Sequence, residues 1–456
     1  MKRNNNYQKY LNLRQEFDFF EYQSYKINLI DGVLKIEFSF NMSDKYFFKP
    51  KMELRLPDGI KLESTKMLNS AVFNIGMVEL ISYWKTACPP NIIVKPHKLD
   101  DEQAGWWKKL YFNGLGEFFY LNCIDVPIDG FVDIESCGQA AEAVKAEMNF
   151  EKVIVPVGGG KDSVVSLEIL KRASVDVIPM MLNPNPARIR TIENADLKIG
   201  DSLVVNRFLD KTLLELNDKG FLNGHTPFSA LLGFTNVLLS LLTGVGYIAL
   251  SNENSANEST VPGTDINHQY SKSYEFERDF NFYVKKHINN SISYFSFLRP
   301  LNEIQIGLLF SRFSRHFMSF RSCNVGSKED KWCAGCPKCL FTYLILSPFI
   351  STDRLTAIFG KNLLDDAELE SVLMELSGNA KFKPFECVGT VDEVKSVIDN
   401  ILKSGDGNFT GLRLLNNPRL LKLGNATKLS SLLSAFNREN NLPPEFEEIL
   451  KKALNE

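Results

Sequence analysis

The sequence predicts an α/β protein built around a mostly parallel sheet, with an α+β region before it and a mainly helical region after it. Three observations support this prediction. Strand-like apolar runs alternate with helical patterns between residues 149 and 346. Residues 1–148 are rich in aromatic side chains and contain runs in which apolar and polar residues alternate. Residues 347–456 contain helical patterns separated by Gly, Asn and Pro.

The N-terminal region, residues 1–148, predicts an α+β domain. Residues 33–40 alternate between apolar and polar side chains, as a half-buried strand does, and residues 67–84 have helical spacing. The Trp106-Trp107 pair and the Gly-Leu-Gly-Glu segment at 114–117 are its most unusual features. Paired tryptophans are more typical of a core than of a ligand platform, because such large rings usually lie inside. We expect this domain to recognise the substrate.

The middle region, residues 149–346, predicts a parallel sheet covered by helices. Four short apolar runs are typical of buried strands: residues 153–157, 175–182, 202–206 and 247–251. Helical patterns lie between them at 163–172 and 226–242. The apolar stretch at 228–250 carries polar residues and three glycines, which favours a buried helix and strand over a membrane span. A sheet of this kind binds ligands at the carboxyl ends of its strands.

The C-terminal region, residues 347–456, predicts a mainly helical structure. Four segments have helical spacing: residues 366–376, 391–403, 428–438 and 445–454. No internal repeat or low-complexity tract is present, so this region does not predict a solenoid or a disordered tail.

Charge and targeting signals limit the function classes. The 456 residues include 52 Lys and Arg against 55 Asp and Glu, a net charge of −3, which disfavours a nucleic-acid partner. The basic start of the chain is not followed by an apolar run, so we expect a cytoplasmic protein without a membrane partner. Its eight cysteines include a group of four between 323 and 339, a pattern of reduced thiols and a metal site, not of disulfides.

A glycine-rich segment carries the clearest chemistry. Gly158, Gly159 and Gly160 directly follow a predicted strand and precede a helix that contains Lys161, Asp162 and Ser163. Glycines here let the backbone approach an anion, and the helix N-terminus offers unpaired N–H groups. Lys161 adds positive charge and Ser163 a hydroxyl, while Asp162 makes sense as a ligand of Mg²⁺ or as a support of the turn. The segment is neither a Walker loop nor a dinucleotide fingerprint.

This segment resembles the Ser-Gly-Gly-x-Asp-Ser loop of the PP-loop ATP pyrophosphatase superfamily. Gly159, Gly160, Asp162 and Ser163 match that loop, and Gly158 stands in place of its first Ser. The resemblance implies an adenine nucleotide α-hydrolase-like fold and cleavage of ATP to AMP and pyrophosphate during activation of a carboxyl or carbonyl group. The missing hydroxyl implies that pyrophosphate contacts depend more on backbone groups.

Four cysteines form a candidate zinc site. Cys333, Cys336 and Cys339 make two successive C-x-x-C steps, and Cys323 precedes them. This spacing is typical of a tetrahedral zinc knuckle with turn-forming residues between the ligands. Free structural cysteines and an iron–sulfur cluster are the alternatives. Four protein ligands leave zinc no open position, so we expect a structural metal.

Further polar groups are candidates for substrate binding and proton transfer. His225 precedes the apolar helix, where an anion-binding role and a plain capping role are equally open. Asn252 and Glu253 follow a strand at the ligand edge, where they are suited to contact the nucleotide or Mg²⁺. The loop around residues 267–273 is either an acid–base centre or an ordinary surface loop, and Cys387 either a proton-transfer thiol or a buried cysteine. The acid–base candidates in that loop are His268, Tyr270 and Lys272.

The full set of motifs resembles the UDP-N-acetyl-α-D-muramoyl-L-alanyl-L-glutamate epimerases, known as MurL. The resembling stretches are residues 106–111, 157–163, 223–229, 251–258, 267–273, 299–303, 332–339 and 383–389. This resemblance implies ATP-dependent conversion of the terminal L-Glu of a nucleotide-sugar dipeptide to D-Glu in peptidoglycan precursor synthesis, with ATP, Mg²⁺ and Zn²⁺ bound. Adenylation would remove the negative charge that makes the α-proton of a free carboxylate hard to abstract.

Two other interpretations remain open on the sequence. A loop of this type followed by four cysteines is also similar to 7-cyano-7-deazaguanine synthase, and tRNA-modifying enzymes share the loop. The deazaguanine synthase is far shorter, and the net charge of −3 disfavours a tRNA substrate. A non-catalytic ATP-binding or zinc-scaffold protein is the second alternative, and it predicts no conversion of ATP to AMP.

Overall fold

The computed structural model describes residues 3–55, 65–141, 143, 146–326, 329–404, 412–417 and 426–456. Within these residues eleven strands form one sheet. The strands are β1 (Phe19–Ile30), β2 (Val33–Met42), β3 (Tyr46–Phe48), β4 (Lys51–Arg55), β5 (Asn91–Val94), β6 (Asp133–Ser136), β7 (Asn149–Pro156), β8 (Asp176–Leu182), β9 (Leu203–Phe208), β10 (Val245–Leu250) and β11 (Ser293–Ser296).

Helices connect and cover these strands. They are α1 (Tyr7–Glu16), α2 (Thr65–Trp84), α3 (Asp101–Gly114), α4 (Gly116–Leu121), α5 (Ile128–Phe131), α6 (Lys161–Arg172), α7 (Pro186–Asn194), α8 (Lys211–Asp218), α9 (Phe228–Thr243), α10 (Tyr274–His287), α11 (Glu303–Ser311), α12 (Pro337–Leu346), α13 (Thr352–Phe359), α14 (Glu370–Leu376), α15 (Val391–Ser404), α16 (Leu429–Leu433) and α17 (Pro444–Asn455). None of the described helices is long and apolar enough to cross a membrane.

The sheet is mostly parallel, which confirms the predicted α/β class. Its strand order is β11-β10-β7-β8-β9-β4-β2-β1-β5-β6, with β3 paired to β2. The strands from β11 to β9 are parallel neighbours, and so are β1, β5 and β6. An antiparallel section of β9, β4, β2 and β1 joins these two parts. The carboxyl ends of β7, β8 and β10 therefore meet at one edge of the sheet.

Alternating side chains of the central strands pack on opposite faces of the sheet. On β7, Ile154 belongs to a core shared with α2 and α9, whereas Val153 and Val155 belong to a second core shared with α6, α11 and α12. All three side chains are fully buried. A strand buried on both faces has a continuous apolar run, which is why the sequence identified β7.

The sheet continues across the boundary predicted at residue 148. Strand β4 of the N-terminal region pairs with β9 of the middle region, with Leu54 opposite Val205. One hydrophobic core runs from Tyr10 to Tyr294 and includes side chains of both regions. The first two regions thus share a sheet and a core in the structure. The division of the chain into three domains stays a prediction.

The C-terminal region contains the predicted helices over most of their length. Helices α14, α15 and α17 lie within or close to the predicted segments, whereas α16 is shorter than the segment predicted at 428–438. Helix α15 packs on α12, and α17 packs on α6 and α11. The helical region thereby covers one face of the central sheet and adjoins the segment that contains the four cysteines.

Candidate active site

The glycine loop connects β7 to α6 at the carboxyl edge of the sheet. Gly159 has a φ of +84°, and a Cβ placed on it would lie 3.1 Å from the backbone nitrogen of Arg188. The Ser163 hydroxyl accepts a hydrogen bond from the Gly159 N–H at 3.2 Å and donates one to the Gly160 carbonyl at 3.0 Å. Within the described residues no side chain caps the N-terminus of α6. Its first N–H groups therefore remain available to an anion.

A cavity of about 320 Å³ opens at this loop. Gly158, Gly160, Asp162 and Ser163 form part of its wall, as does Asn252. Cationic side chains face the cavity from several elements; they are Arg188, Lys272, Arg321 and Lys338. Apolar side chains form another part of the wall; they are Pro156, Phe228, Leu232 and Leu250. The volume is in the range of small-molecule sites, and the charges suit a phosphorylated ligand.

Lys161 lies outside the residues that line this cavity. Its ammonium group is buried and forms ion pairs with Asp162 and Glu303. Burial lowers the pKa of Lys161, but the two carboxylates outweigh burial and raise it above its ordinary value. In this arrangement Lys161 supports the Asp162 carboxylate instead of facing a ligand.

The polar residues after β10 divide between the cavity and the interior. Asn252 lines the cavity and donates a hydrogen bond to the Ser296 hydroxyl at 3.0 Å. Glu253 is buried, and its carboxylate accepts a hydrogen bond from Ser255 at 3.2 Å. Arg299, fully buried, donates to the carbonyls of both Glu253 and Lys272. This guanidinium group therefore fixes the loop after β10 relative to Lys272.

His225 and His268 converge on Glu117, a residue of α4. The Glu117 carboxylate accepts a hydrogen bond from His268 Nδ1 at 2.5 Å and lies 3.8 Å from His225 Nδ1. The two imidazole rings are 4.3 Å apart. Burial lowers the pKa of His268, but its hydrogen bonds with Cys387 and Glu117 outweigh burial and raise it to about 9. Burial and the neighbouring cations lower the pKa of His225 to about 3.

Cys387 contacts Lys272 and interacts electrostatically with His268. The Lys272 ammonium donates a hydrogen bond to Cys387 Sγ at 3.1 Å. Burial raises the pKa of the Cys387 thiol, yet Lys272, Lys338 and His268 outweigh it and hold the pKa well below its ordinary value. Lys272 and His268 therefore both favour the thiolate form of Cys387. Because Lys272 also lines the cavity, this group, hereafter the thiolate cluster (Glu117, His225, His268, Lys272, Cys387), adjoins the glycine loop.

The charges of the thiolate cluster oppose a metal ion at its histidines. Ligand atoms of Glu117, His225 and His268 lie within 4.8 Å of one another, a spacing compatible with a metal. However, the ammonium group of Lys272 lies in the same cluster, and the Lys85 ammonium bonds the Gly224 carbonyl beside His225 at 2.6 Å. The anions Glu117 and Cys387 are already balanced by cations, so a divalent ion would be repelled here.

Tyr270 is packed in the hydrophobic core, and no contact between it and a residue of the thiolate cluster is seen among the described residues. Its hydroxyl bonds Asn113, and its ring packs against Phe276 at 6.2 Å. Burial raises the pKa of Tyr270 to about 12, so the phenol stays protonated at neutral pH. Among the predicted acid–base residues, the structure thus brings together His225, His268, Lys272 and Cys387 and leaves Tyr270 in the surrounding core.

The four cysteines predicted to bind zinc lie together beside the cavity. The Sγ–Sγ distances are 3.8 Å between Cys323 and Cys336, 3.7 Å between Cys333 and Cys339, and 3.4 Å between Cys336 and Cys339. Tetrahedral zinc with bonds of about 2.3 Å requires sulfur atoms about 3.8 Å apart. The four thiols therefore fit a zinc ion. Cys323 also lines the cavity, so this cluster supports the cavity wall.

Gly158 and Gly159 differ in their tolerance of a side chain, which gives a first testable prediction. A Cβ on Gly158 would meet no atom within 4 Å, whereas Gly159 combines its positive φ with a crowded Cβ position. We expect Gly158→Ser to keep or improve ATP affinity, by at most about fivefold for one hydrogen bond. Gly159→Ser should weaken affinity by about tenfold or more through strain. Titration calorimetry with a non-hydrolysable ATP analogue measures both; equal effects at the two positions would contradict the loop geometry.

Comparison with known proteins identifies the family. A model of the MurL N-terminal domain matches residues 12–297, and one of the MurL C-terminal domain matches residues 319–414. This chain belongs to the MurL family. The first match contains the glycine loop, His225, His268 and Lys272, and the second contains the four cysteines and Cys387. The glycine loop, the thiolate cluster and the four cysteines thus all lie within the matched residues of the MurL family.

Three members of the MurL family are similar over most of their length. The UDP-N-acetyl-α-D-muramoyl-L-alanyl-L-glutamate epimerase of Xanthomonas oryzae pv. oryzae is 38% identical over 326 residues, which cover 70% of this chain and 71% of that protein. Proteins of the same name from Salinispora tropica and Micromonospora sp. are 34% and 33% identical. Each alignment covers 83% of this chain, with 84% and 86% of those proteins.

Sequence reasoning missed several residues of the site. Glu117 lies in an unusual glycine-containing segment, but nothing in the sequence connects it with His268, which follows 151 positions later. The sequence does not predict that Arg188 and Lys338 line a cavity. The position of Arg188, the third residue of the helix after β8, is an available signal, because the ends of parallel strands meet at one edge.

Proposed function

We propose that this protein catalyses ATP-dependent epimerisation of the terminal L-Glu of UDP-MurNAc-L-Ala-L-Glu to D-Glu, in peptidoglycan precursor synthesis. The reaction proceeds through an adenylated α-carboxylate and releases AMP and pyrophosphate. The observation that carries the proposal is that Lys272 belongs both to the wall of the glycine-loop cavity and to the thiolate cluster. One site thus joins groups suited to bind phosphates with groups suited to transfer protons. The names of the relatives in the MurL family support the substrate.

The glycine loop and its surroundings are suited to bind ATP, as expected of a PP-loop fold. N–H groups at the start of α6 and the Ser163 hydroxyl would contact phosphate oxygens, and Arg188 and Arg321 would add positive charge. Phe228, 45% exposed at the cavity edge, offers an apolar surface to the adenine. Asp162 would hold Mg²⁺, which neutralises charge on the phosphates. Because ATP and the nucleotide sugar meet in the cytoplasm, we place the reaction there.

Adenylation prepares the glutamyl α-carbon for proton transfer. Removing the α-proton next to a carboxylate would place a carbanion beside a negative charge. An acyl adenylate lacks that charge, and its carbonyl accepts electron density as an enolate. The cationic groups of the thiolate cluster, Lys272 and His268, are suited to stabilise the enolate oxygen and to exchange protons. Return of a proton to the opposite face, followed by hydrolysis, gives the D-glutamyl product.

A structural Zn²⁺ completes the proposal. Cys323, Cys333, Cys336 and Cys339 would hold it with all four positions filled, so it would stabilise the fold without reacting. Cys323 and Lys338 belong to the cavity wall, so the zinc ion would hold part of that wall in place. This role would explain a structural zinc site in an enzyme whose reaction does not use the metal.

The proposed function is tested by incubating the protein with UDP-MurNAc-L-Ala-L-Glu, ATP and Mg²⁺ in D₂O. We expect AMP, pyrophosphate, D-Glu in the product, and deuterium at the glutamyl α-carbon. Omission of ATP should abolish deuterium incorporation, because the free carboxylate is not activated. AMP formation without deuterium or D-Glu would refute epimerisation while leaving adenylation in place. Absence of any substrate-dependent AMP would refute both.

A further inference from the structure

The position of Cys387 suggests more than a proton-transfer role. Its sulfur atom accepts a hydrogen bond from Lys272 at 3.1 Å, and the His268 imidazole interacts with it electrostatically. Lys272 is at the same time part of the cavity wall that includes Asp162 and Ser163. Cys387 itself is not among the residues that line the cavity, but a carboxylate adenylated next to Lys272 would lie one side chain away from this sulfur atom. Acyl adenylates react readily with thiolates, because AMP is a good leaving group.

We propose that Cys387 captures the adenylated substrate as a thioester, and that the α-proton is exchanged in this covalent intermediate. This inference rests on the proposed function, since it requires the acyl adenylate as its substrate. The histidine pair of the thiolate cluster, His225 and His268, then performs the proton transfer. Cys387 is thus a nucleophilic catalytic residue.

The covalent steps balance in atoms and charge. The electron pair of Cys387 Sγ forms a bond to the carbonyl carbon, and the bond from that carbon to the phosphate oxygen breaks. AMP leaves with the electron pair of the broken bond, so the negative charge moves from sulfur to AMP. After α-proton removal and return, water attacks the thioester carbonyl. The carbon–sulfur bond breaks, Cys387 leaves as a thiolate, the glutamyl carboxylate is regenerated, and the two protons of the attacking water are released.

The electrostatics favour a nucleophile over a base at this position. Two cationic groups stabilise the thiolate, which makes it a weak acceptor of a proton but keeps it ionised for attack. Acylation removes the sulfur charge, and Lys272 and His268 are then left facing the thioester without the thiolate as their anionic partner. The enolate oxygen that forms next to this sulfur restores the missing negative charge. The same two cations therefore stabilise the thiolate first and the enolate afterwards.

The test separates adenylation, acyl transfer and proton exchange with Cys387→Ser and Cys387→Ala. Cys137→Ser, which changes an exposed thiol, is the matched control. During turnover of the unmodified protein, acid quenching and mass spectrometry of the intact chain should detect an acyl adduct. It should map to Cys387 and be released by neutral hydroxylamine. In both Cys387 variants we expect exchange of labelled pyrophosphate into ATP to stay within about threefold of normal, while deuterium incorporation and AMP release fall by about 10³-fold.

Three results would contradict the thioester proposal or the adenylation on which it rests. A Cys387→Ser protein that epimerises within about tenfold of the normal rate would refute the thioester, and so would one that releases AMP at the normal rate without deuterium incorporation. The latter result would assign Cys387 to proton transfer alone. If the unmodified protein does not exchange labelled pyrophosphate into ATP, the proposed adenylation itself is refuted.

Discussion

Replacing Glu117 by Gln is expected to lower the rate of epimerisation by about 10²- to 10³-fold and to move its alkaline limit to lower pH. The Glu117 carboxylate accepts a hydrogen bond from His268 at 2.5 Å and is one of two groups that raise the pKa of His268 to about 9. The imidazolium form, which pairs with the Cys387 thiolate, is present below that pH and is lost above it. The amide introduced by Glu117→Gln carries no charge, so the pKa of His268 should fall towards its ordinary value of 6.5.

The measurement is the pH dependence of kcat/KM, which reports ionisations of the free enzyme. Epimerisation by the unmodified protein should decline only as the pH rises through about 9, whereas the Glu117→Gln protein should decline from lower pH. Glu102→Gln is the matched control, because Glu102 makes a comparable contact with His287 at 3.2 Å outside the site. An alkaline limit that stays in place in Glu117→Gln would show that His268 does not control the reaction. Pyrophosphate exchange should change little, because Glu117 is not among the residues that line the glycine-loop cavity.

Local motifs made the cavity and the four-cysteine cluster predictable from the sequence. The glycine loop depends on residues adjacent in the chain, between the end of β7 and the start of α6. The C-x-x-C steps likewise bring Cys333, Cys336 and Cys339 together within a short stretch of the chain, and only Cys323 approaches from farther away. Short-range geometry of this kind is set by backbone conformation, which the sequence pattern reflects directly.

Long-range contacts explain what the sequence did not predict. The pairing of β4 with β9 joins residues about 150 positions apart, and no local pattern specifies which strands become neighbours. The ion pair of Lys161 with Glu303 is also a long-range contact. From the sequence, a lysine in a phosphate-binding loop is expected to bind phosphate, and only the fold shows that Lys161 is paired with a buried carboxylate. The thiolate cluster combines α4, two loops and the segment around Cys387, so its charge balance depends on the complete fold.

Replacing Cys339 by Ser is expected to remove one equivalent of zinc per chain and to lower Tm by about 5–10 °C. Cys339 is fully buried in the first turn of α12, whose side chains from Leu340 to Leu346 are also buried. Serine is a poor zinc ligand, and without the metal the remaining three cysteines lose the ion that would hold them together. Cys88→Ser, which changes a buried thiol outside the cluster, is the matched control and should leave zinc content unchanged.

The loss of zinc should also affect nucleotide binding, which distinguishes this cluster from an isolated structural knuckle. Cys323 and Lys338 contribute to the cavity wall, and the Arg321 N–H donates a backbone hydrogen bond to the Gly159 carbonyl of the glycine loop at 2.7 Å. Without the metal, the segment that carries Cys323 and Lys338 would become more mobile. The ATP affinity of Cys339→Ser should therefore fall together with its Tm. Elemental analysis, thermal unfolding and calorimetric titration with an ATP analogue provide the three readouts. Unmodified protein that contains no zinc, or a metal-free variant with normal ATP affinity, would show that the cavity wall does not depend on the metal.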